Sequence, residues 1–198
     1  MKKLNIFSLT VVLAVALFAV SCNNNSNKVE TAEEAEVATV LDVDSILTVA
    51  PEYVNDTIEV EGVCVHICSH GAGKISLMGS DDTKTIMCHA SKELGAFKQE
   101  CVNSIVRVKG VVVEQRMDEA YLQAWEEQIK AQTVKQHGEG QAAGCDSEMK
   151  AHQEQKVATP EERIANLRAR IAERNEKEGL NYLSFYSIVA IDYEIVNE

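Results

Sequence analysis

Residues 57–68 read Thr-Ile-Glu-Val-Glu-Gly-Val-Cys-Val-His-Ile-Cys, with apolar and polar side chains alternating at a period of two. That period is what a half-buried β-strand requires, because successive side chains leave opposite faces of the pleat. The alternation changes phase at Gly62: Ile58 and Val60 share a face before it, and Val63, Val65 and Ile67 share one after it. An isolated glycine at a phase change predicts a β-bulge that bends the strand. The same phase rule places Cys64, His66 and Cys68 together on the face opposite the apolar residues.

The surrounding chain supplies short elements with their own punctuation. Asp44 is placed to cap a helix through residue 49, which Pro51 helps to end. Gly71-Ala72-Gly73 predicts a turn, 74–78 a second strand, Ser80-Asp81-Asp82 another turn, and 83–90 a third strand. Ser91 is a candidate cap for a helix to about residue 100, with Leu94 and Phe97 on one side, and 103–114 reads as a long fourth strand. Residues 116–135 read as helix, with Met117, Tyr121, Ala124 and Gln128 at helical spacing and Trp125 beside them. Thr159-Pro160-Glu161-Glu162 is a capping box with Pro at the first helical position. Ile164, Leu167 and Ile171 form the stripe that this helix buries, and Gly179 closes it. Residues 137–158, rich in Gly, Ala and Gln, are expected to be loop with some helix. Residues 182–196 are expected to form a closing strand with Phe185, Val189, Ile191, Tyr193 and Ile195 on one face.

A long bent strand, two shorter ones, a helix after the third and then a fourth strand resemble the OB-fold. The stretch Tyr53-Val54-Asn55-Asp56-Thr57-Ile58-Glu59-Val60-Glu61-Gly62-Val63 is similar to the opening of exported bacterial OB-like domains, and the likeness covers about 40–115. It implies an α+β, mainly β, protein: a five-stranded OB-fold-like barrel over 41–198, with about 116–179 inserted as a helical hairpin before the last strand. This barrel hosts many unrelated roles, so function has to be argued from the site.

The N-terminus carries a location signal. Met1-Lys2-Lys3 is a positive start, 6–20 is apolar apart from Ser8 and Thr10, and Ala19-Val20-Ser21 is a small-residue exit before Cys22. The apolar run is shorter than the roughly 20 residues a spanning helix needs, and the three parts together read as an export signal. A cysteine at the cleavage point resembles the lipobox of bacterial envelope lipoproteins, where that cysteine carries diacylglycerol. The family usually has Leu three residues before it, where Ala19 stands, so cleavage by an ordinary signal peptidase stays open. The expectations are a signal peptide over 1–21, a lipid-bearing Cys22 and a tether over 22–40, with the body at the periplasmic side of the outer membrane. Loss of 1–21 removes Lys2 and Lys3 and no acidic residue, which takes the net charge from −12 to −14. Such acidity argues against sequence-independent binding of nucleic acid, which needs Lys and Arg to displace counterions. The partners expected are therefore the membrane, through the lipid, and another envelope protein.

Chemistry concentrates in the Cys/His stripe. His66, Cys68, His70, Cys88 and His89 are candidate metal ligands, with Cys64 a further ligand or a disulfide partner. Thiolate and imidazole suit zinc or copper better than magnesium or calcium. Residues four apart in a straight strand stand about 13 Å apart, so Cys64 and Cys68 cannot serve one ion or one disulfide. Against the metal stand two bland readings: cross-strand disulfides, Cys64–Cys88 or Cys68–Cys88, and side chains that are simply solvated. Cys101, near Phe97, is expected to be a small buried hydrophobe. Cys145 is expected to be an exposed thiol with His137 and His152 solvated on the same loop, the alternative being that this loop delivers extra ligands. Phosphate loops, nucleophile elbows and His-Glu-x-x-His are absent from the sequence, so no enzyme is expected. A thiol enzyme using Cys68 is the weakest alternative. Metal binding in the envelope is the leading reading, and a non-catalytic interaction module with structural disulfides is its rival.

Overall fold

The computed structural model describes residues 40–68, 71–135 and 144–196. The expected signal peptide, Cys22, the tether up to residue 39, His70 and His137 lie outside these described residues. The elements are β1 (Val40–Asp42), α1 (Val43–Val49), β2 (Thr57–Ile67), β3 (Lys74–Met78), β4 (Thr85–Ala90), β5 (Ile105–Asp118), α2 (Glu119–Lys135), α3 (Asp146–Ala151), α4 (Pro160–Glu178) and β6 (Tyr182–Val196). Short 3-10 turns occupy Ala50–Tyr53 and Gln99–Cys101. Among the described residues no helix is long and apolar enough to cross a membrane.

Five strands close into a barrel in the order β2-β3-β4-β6-β5, with β5 pairing back onto β2. Four of these pairings are antiparallel, and β4–β6 is parallel. This is the OB-type barrel expected from the strand pattern, and the short β1 adds to β2 in parallel. The helices α2 to α4 enter between β5 and β6, which is the expected insertion before the last strand.

The β2 bend lies further along than Gly62. The register passes from Cys64↔Leu77 to His66↔Ser76, so the extra residue is Val65, which is 39% exposed. Ile58, Val60, Gly62 and Cys64 therefore keep one phase, and Ile58, Val60 and Cys64 are all buried in the barrel core. Gly62 serves close packing: a Cβ there would stand 2.7 Å from Val43 Cγ2 and 2.9 Å from the Met78 carbonyl oxygen. It lets α1 lie against the strand. His66 and Cys68, beyond the bulge, take the outer face.

A second bulge reorganises β6. Lys109 pairs with Asp192 but Gly110 with Ala190, leaving Ile191 as the extra residue, 46% exposed. Ile188 and Ala190 fill the barrel before it, and Tyr193 and Ile195 pack against the same core after it. Leu183 and Phe185 face the other way and belong to a separate cluster with Leu122, Ile129, Ile164, Leu167 and Ile171. The single alternating face expected for this strand is thus split between two cores.

Two helical expectations shift. Residues 91–100 form no α-helix: Ser91 Oγ accepts from the Leu94 N–H at 3.2 Å, but the turn stops at Gly95, whose φ is +76°. The following chain is used instead to bury Phe97, which packs against Tyr193 with centroids 5.1 Å apart. The helix expected from 116 starts at Glu119, because β5 keeps its pairing with β6 through Asp118↔Tyr182. Asp118 then accepts the Tyr121 N–H at 2.9 Å. The α4 limits follow the sequence, with Thr159 Oγ1 accepting from Glu162 N–H at 3.2 Å and Gly179 at φ +72°.

Candidate metal centre

Three elements converge on one point of the barrel exterior. His66 lies on β2 just past its bulge. Cys68 follows the strand, its N–H donating to the Lys74 carbonyl at 2.9 Å and its carbonyl accepting from Ala72 N–H at 3.1 Å. These bonds hold the thiol at the neck of the β2–β3 connection. Cys145 comes from the insertion, as the residue that starts α3, and its carbonyl accepts from the N–H groups of Glu148 and Met149, both at 3.0 Å.

The insertion is pinned where it delivers Cys145. Met149 of α3 is buried, as are Ser76 and Met87, which lie in register with His66 on the outer face. Arg163 of α4 donates to both oxygens of Glu154, from Nε at 2.6 Å and Nη2 at 2.8 Å, and Nη2 also reaches Glu148 at 3.4 Å. Burial works to raise the Glu154 carboxyl, but hydrogen bonds from Arg163 and His152 outweigh it and hold it below the usual range. His152 stacks on Phe185 with centroids 4.0 Å apart and donates from Nδ1 to Glu154 at 3.1 Å. The expected solvated histidine is therefore a buried packing residue. Gly144 matters here as well: its φ is +123°, and a Cβ would stand 2.5 Å from Arg163 Nη1. The chain thus passes directly over the guanidinium and places Cys145 beside the barrel.

His66, Cys68 and Cys145 could hold a metal ion. Their ligand atoms all lie within 4.8 Å of one another, and His66 Nε2 is 3.5 Å from Cys145 Sγ. A tetrahedral zinc, at about 2.3 Å from sulfur and 2.0 Å from nitrogen, would separate such a pair by about 3.5 Å. Burial pushes the Cys68 thiol up, the adjacent Cys145 thiol adds to this, and Lys74 partly opposes it. Two thiols sharing a site ionise together most easily around a cation, which is what a metal supplies.

The remaining sequence candidates go elsewhere. Cys64 lies in the barrel core, donating its S–H to the His66 carbonyl at 3.5 Å, and burial pushes its thiol up to about 11. Cys88 alternates inward between Met87 and His89, is fully buried, and its thiol is pushed up by burial. His89 takes the outer face in register with Lys74 and is not part of the His66, Cys68 and Cys145 group; burial first, and Lys74 second, lower its imidazole. The five cysteines among the described residues are free thiols. Neither cross-strand disulfide forms. Cys88 faces the core and Cys68 the exterior, while Cys64 and Cys88 have β3 between their strands, about 9 to 10 Å of spacing against the 7 Å limit of a disulfide. Cys101 is the buried hydrophobe expected. The third member of the cluster, Cys145, is 77 residues from Cys68 and had no spacing signal to mark it. Its one sequence cue was a cysteine on a loop inserted into a barrel.

No protein-family model matches the chain, and no curated protein matches it. Among solved structures, it is similar to a protein assigned as an aspartyl-tRNA synthetase, from Leishmania major Friedlin. The identity is 15% and the TM-score 0.28, over 46% of this chain and 19% of that one.

Proposed function

We propose that this protein is a lipid-anchored component of the bacterial cell envelope whose OB-type barrel binds a soft transition metal, zinc or copper. The metal is held by His66 and Cys68 of the barrel and Cys145 of the insertion. One observation carries the reading: two thiols and an imidazole from separate chain segments lie within 4.8 Å of one another. A His/Cys/Cys donor set is soft, and it suits zinc with a further ligand or three-coordinate Cu(I). The role is sequestration, sensing or delivery of the ion. Envelope anchoring rests on the sequence of 1–22 and on Cys22 as the acylated residue.

The test is metal analysis together with thiol titration on protein expressed with zinc or with copper. Stoichiometric metal is expected in the natural chain and in Cys88→Ala, and its loss in His66→Ala, Cys68→Ser and Cys145→Ser. The same proximity supports a second reading, a Cys68–Cys145 disulfide in an interaction module. Metal-free protein lacking two titratable thiols would establish that reading and overturn the first. Mass analysis of the mature N-terminus tests the anchor, with a diacylglycerol adduct on Cys22 expected.

A further inference from the structure

Among the described residues, the metal centre is also the one place where two solvent-reachable thiols meet. Cys68 and Cys145 are half-buried, and their sulfur atoms lie within 4.8 Å of each other. Cys64, Cys88 and Cys101 are fully buried in the barrel core. An oxidant in solution therefore meets one thiol pair and is kept from the other three cysteines.

A disulfide brings its sulfurs to about 2 Å. Closing the remaining gap calls for side-chain rotation and local backbone adjustment, and both cysteines stand outside regular strand and helix. Cys68 follows the end of β2, and Cys145 has extended backbone, φ −79° and ψ 130°, directly before α3. Oxidation also removes the donors. A disulfide sulfur is no longer a thiolate, so His66 alone would be left, and one imidazole does not hold a zinc ion. The insertion stays tied to the barrel in both states, by the metal when reduced and by the S–S bond when oxidised.

We infer, on the metal reading proposed above, that the centre is a redox-gated zinc store, in which a peroxide joins Cys68 to Cys145 and releases the ion. Each thiolate sulfur gives up one electron and the S–S bond forms. The O–O bond of hydrogen peroxide breaks and takes both electrons; two protons come from solvent, and two water molecules and free zinc leave. Zinc has no redox chemistry of its own, so both electrons come from sulfur. A dithiol resets the centre by exchange, ending as a disulfide itself and returning both thiols.

The test loads the reduced full chain with zinc, removes the excess, and adds hydrogen peroxide with a chromogenic zinc indicator present. One zinc is expected to appear per disulfide formed, with the bond mapped to Cys68–Cys145 by mass analysis of unreduced peptides. Treatment with dithiothreitol, followed by its removal, should restore zinc uptake. Cys88→Ala should behave as the natural chain does. His66→Ala should take up no zinc yet form the same disulfide, so the thiol chemistry is read separately from the metal. A reduced natural chain that takes up no zinc overturns the metal reading and this one with it. A zinc-loaded chain overturns this inference alone if it keeps its ion under peroxide, loses it to sulfinic or sulfonic acids without a disulfide, or forms the disulfide between another pair.

Discussion

Cys64, Cys88 and Cys101 are sealed in the barrel, whereas Cys68 and Cys145 are half-buried at the outer site. Brief alkylation of the folded, metal-free chain should label Cys68 and Cys145 and spare the other three, with full labelling after denaturation; peptide mass mapping reads this directly. Burial of Cys64 also sets an alkaline limit. Its thiol is raised from 9.0 to about 11, so the neutral form favours the folded state. That contribution is present below about 9 and lost as the pH rises through about 11, a slope in chemical melts that Cys64→Ala should reduce. Arg163 and Glu154 set an acid limit in the opposite direction, with side chains 3% and 5% exposed. The Glu154 carboxyl is held below 4.5, so its contribution is present above that value and fades as the pH falls through the lowered one. Arg163→Met strands a buried carboxylate and should cost about 3–5 kcal/mol, measured by denaturant melts.

The elements show which sequence signals carry their own physics. The capping of α4 was legible because Thr159, Pro160 and Gly179 act on the backbone within a few residues of themselves. Thr159→Ala should cost about 1 kcal/mol, read as a lowered denaturant midpoint. The β2 bulge was expected at the wrong residue and the β6 bulge was not expected at all, because a bulge is a property of a strand pair. Gly62 looked like the bend from its own strand, yet the register slips at Val65 against β3, and Ile191 slips against β5. The abandoned helix after Ser91 makes the same point, since the burial of Phe97 against Tyr193 outweighed a weak local cap. At the element that matters most for function, Gly144 turns the chain over Arg163 with φ +123°. Gly144→Ala strains that turn and crowds the guanidinium. It should weaken metal binding more than it lowers barrel stability, a split visible by comparing metal titration with the apo melting temperature.

The described residues form a barrel with a helical insertion folded back on its outer wall, and the proposed metal joins the two. Binding to the folded state alone stabilises it by linkage, about 2.7 kcal/mol at a free metal concentration one hundred times Kd. Zinc or Cu(I) should therefore raise the melting temperature of the natural chain and leave that of Cys145→Ser unchanged. The sequence by itself determined the strand content, the helical segment before the last strand and the capped helix α4, while the OB-type order was implied only by the resemblance of that succession of elements. Each of the first three is written in local periodicity or in backbone chemistry acting over a few residues. It also placed His66 and Cys68 on one face, together with Cys64, which the structure moves to the core. Tertiary structure alone decided which cysteines face the core, because the strand phase depends on bulges formed with a partner. It alone brought Cys145 to that pair across 77 residues, because packing of α3 on the barrel and the Arg163–Glu154 clamp, not chain proximity, set that distance.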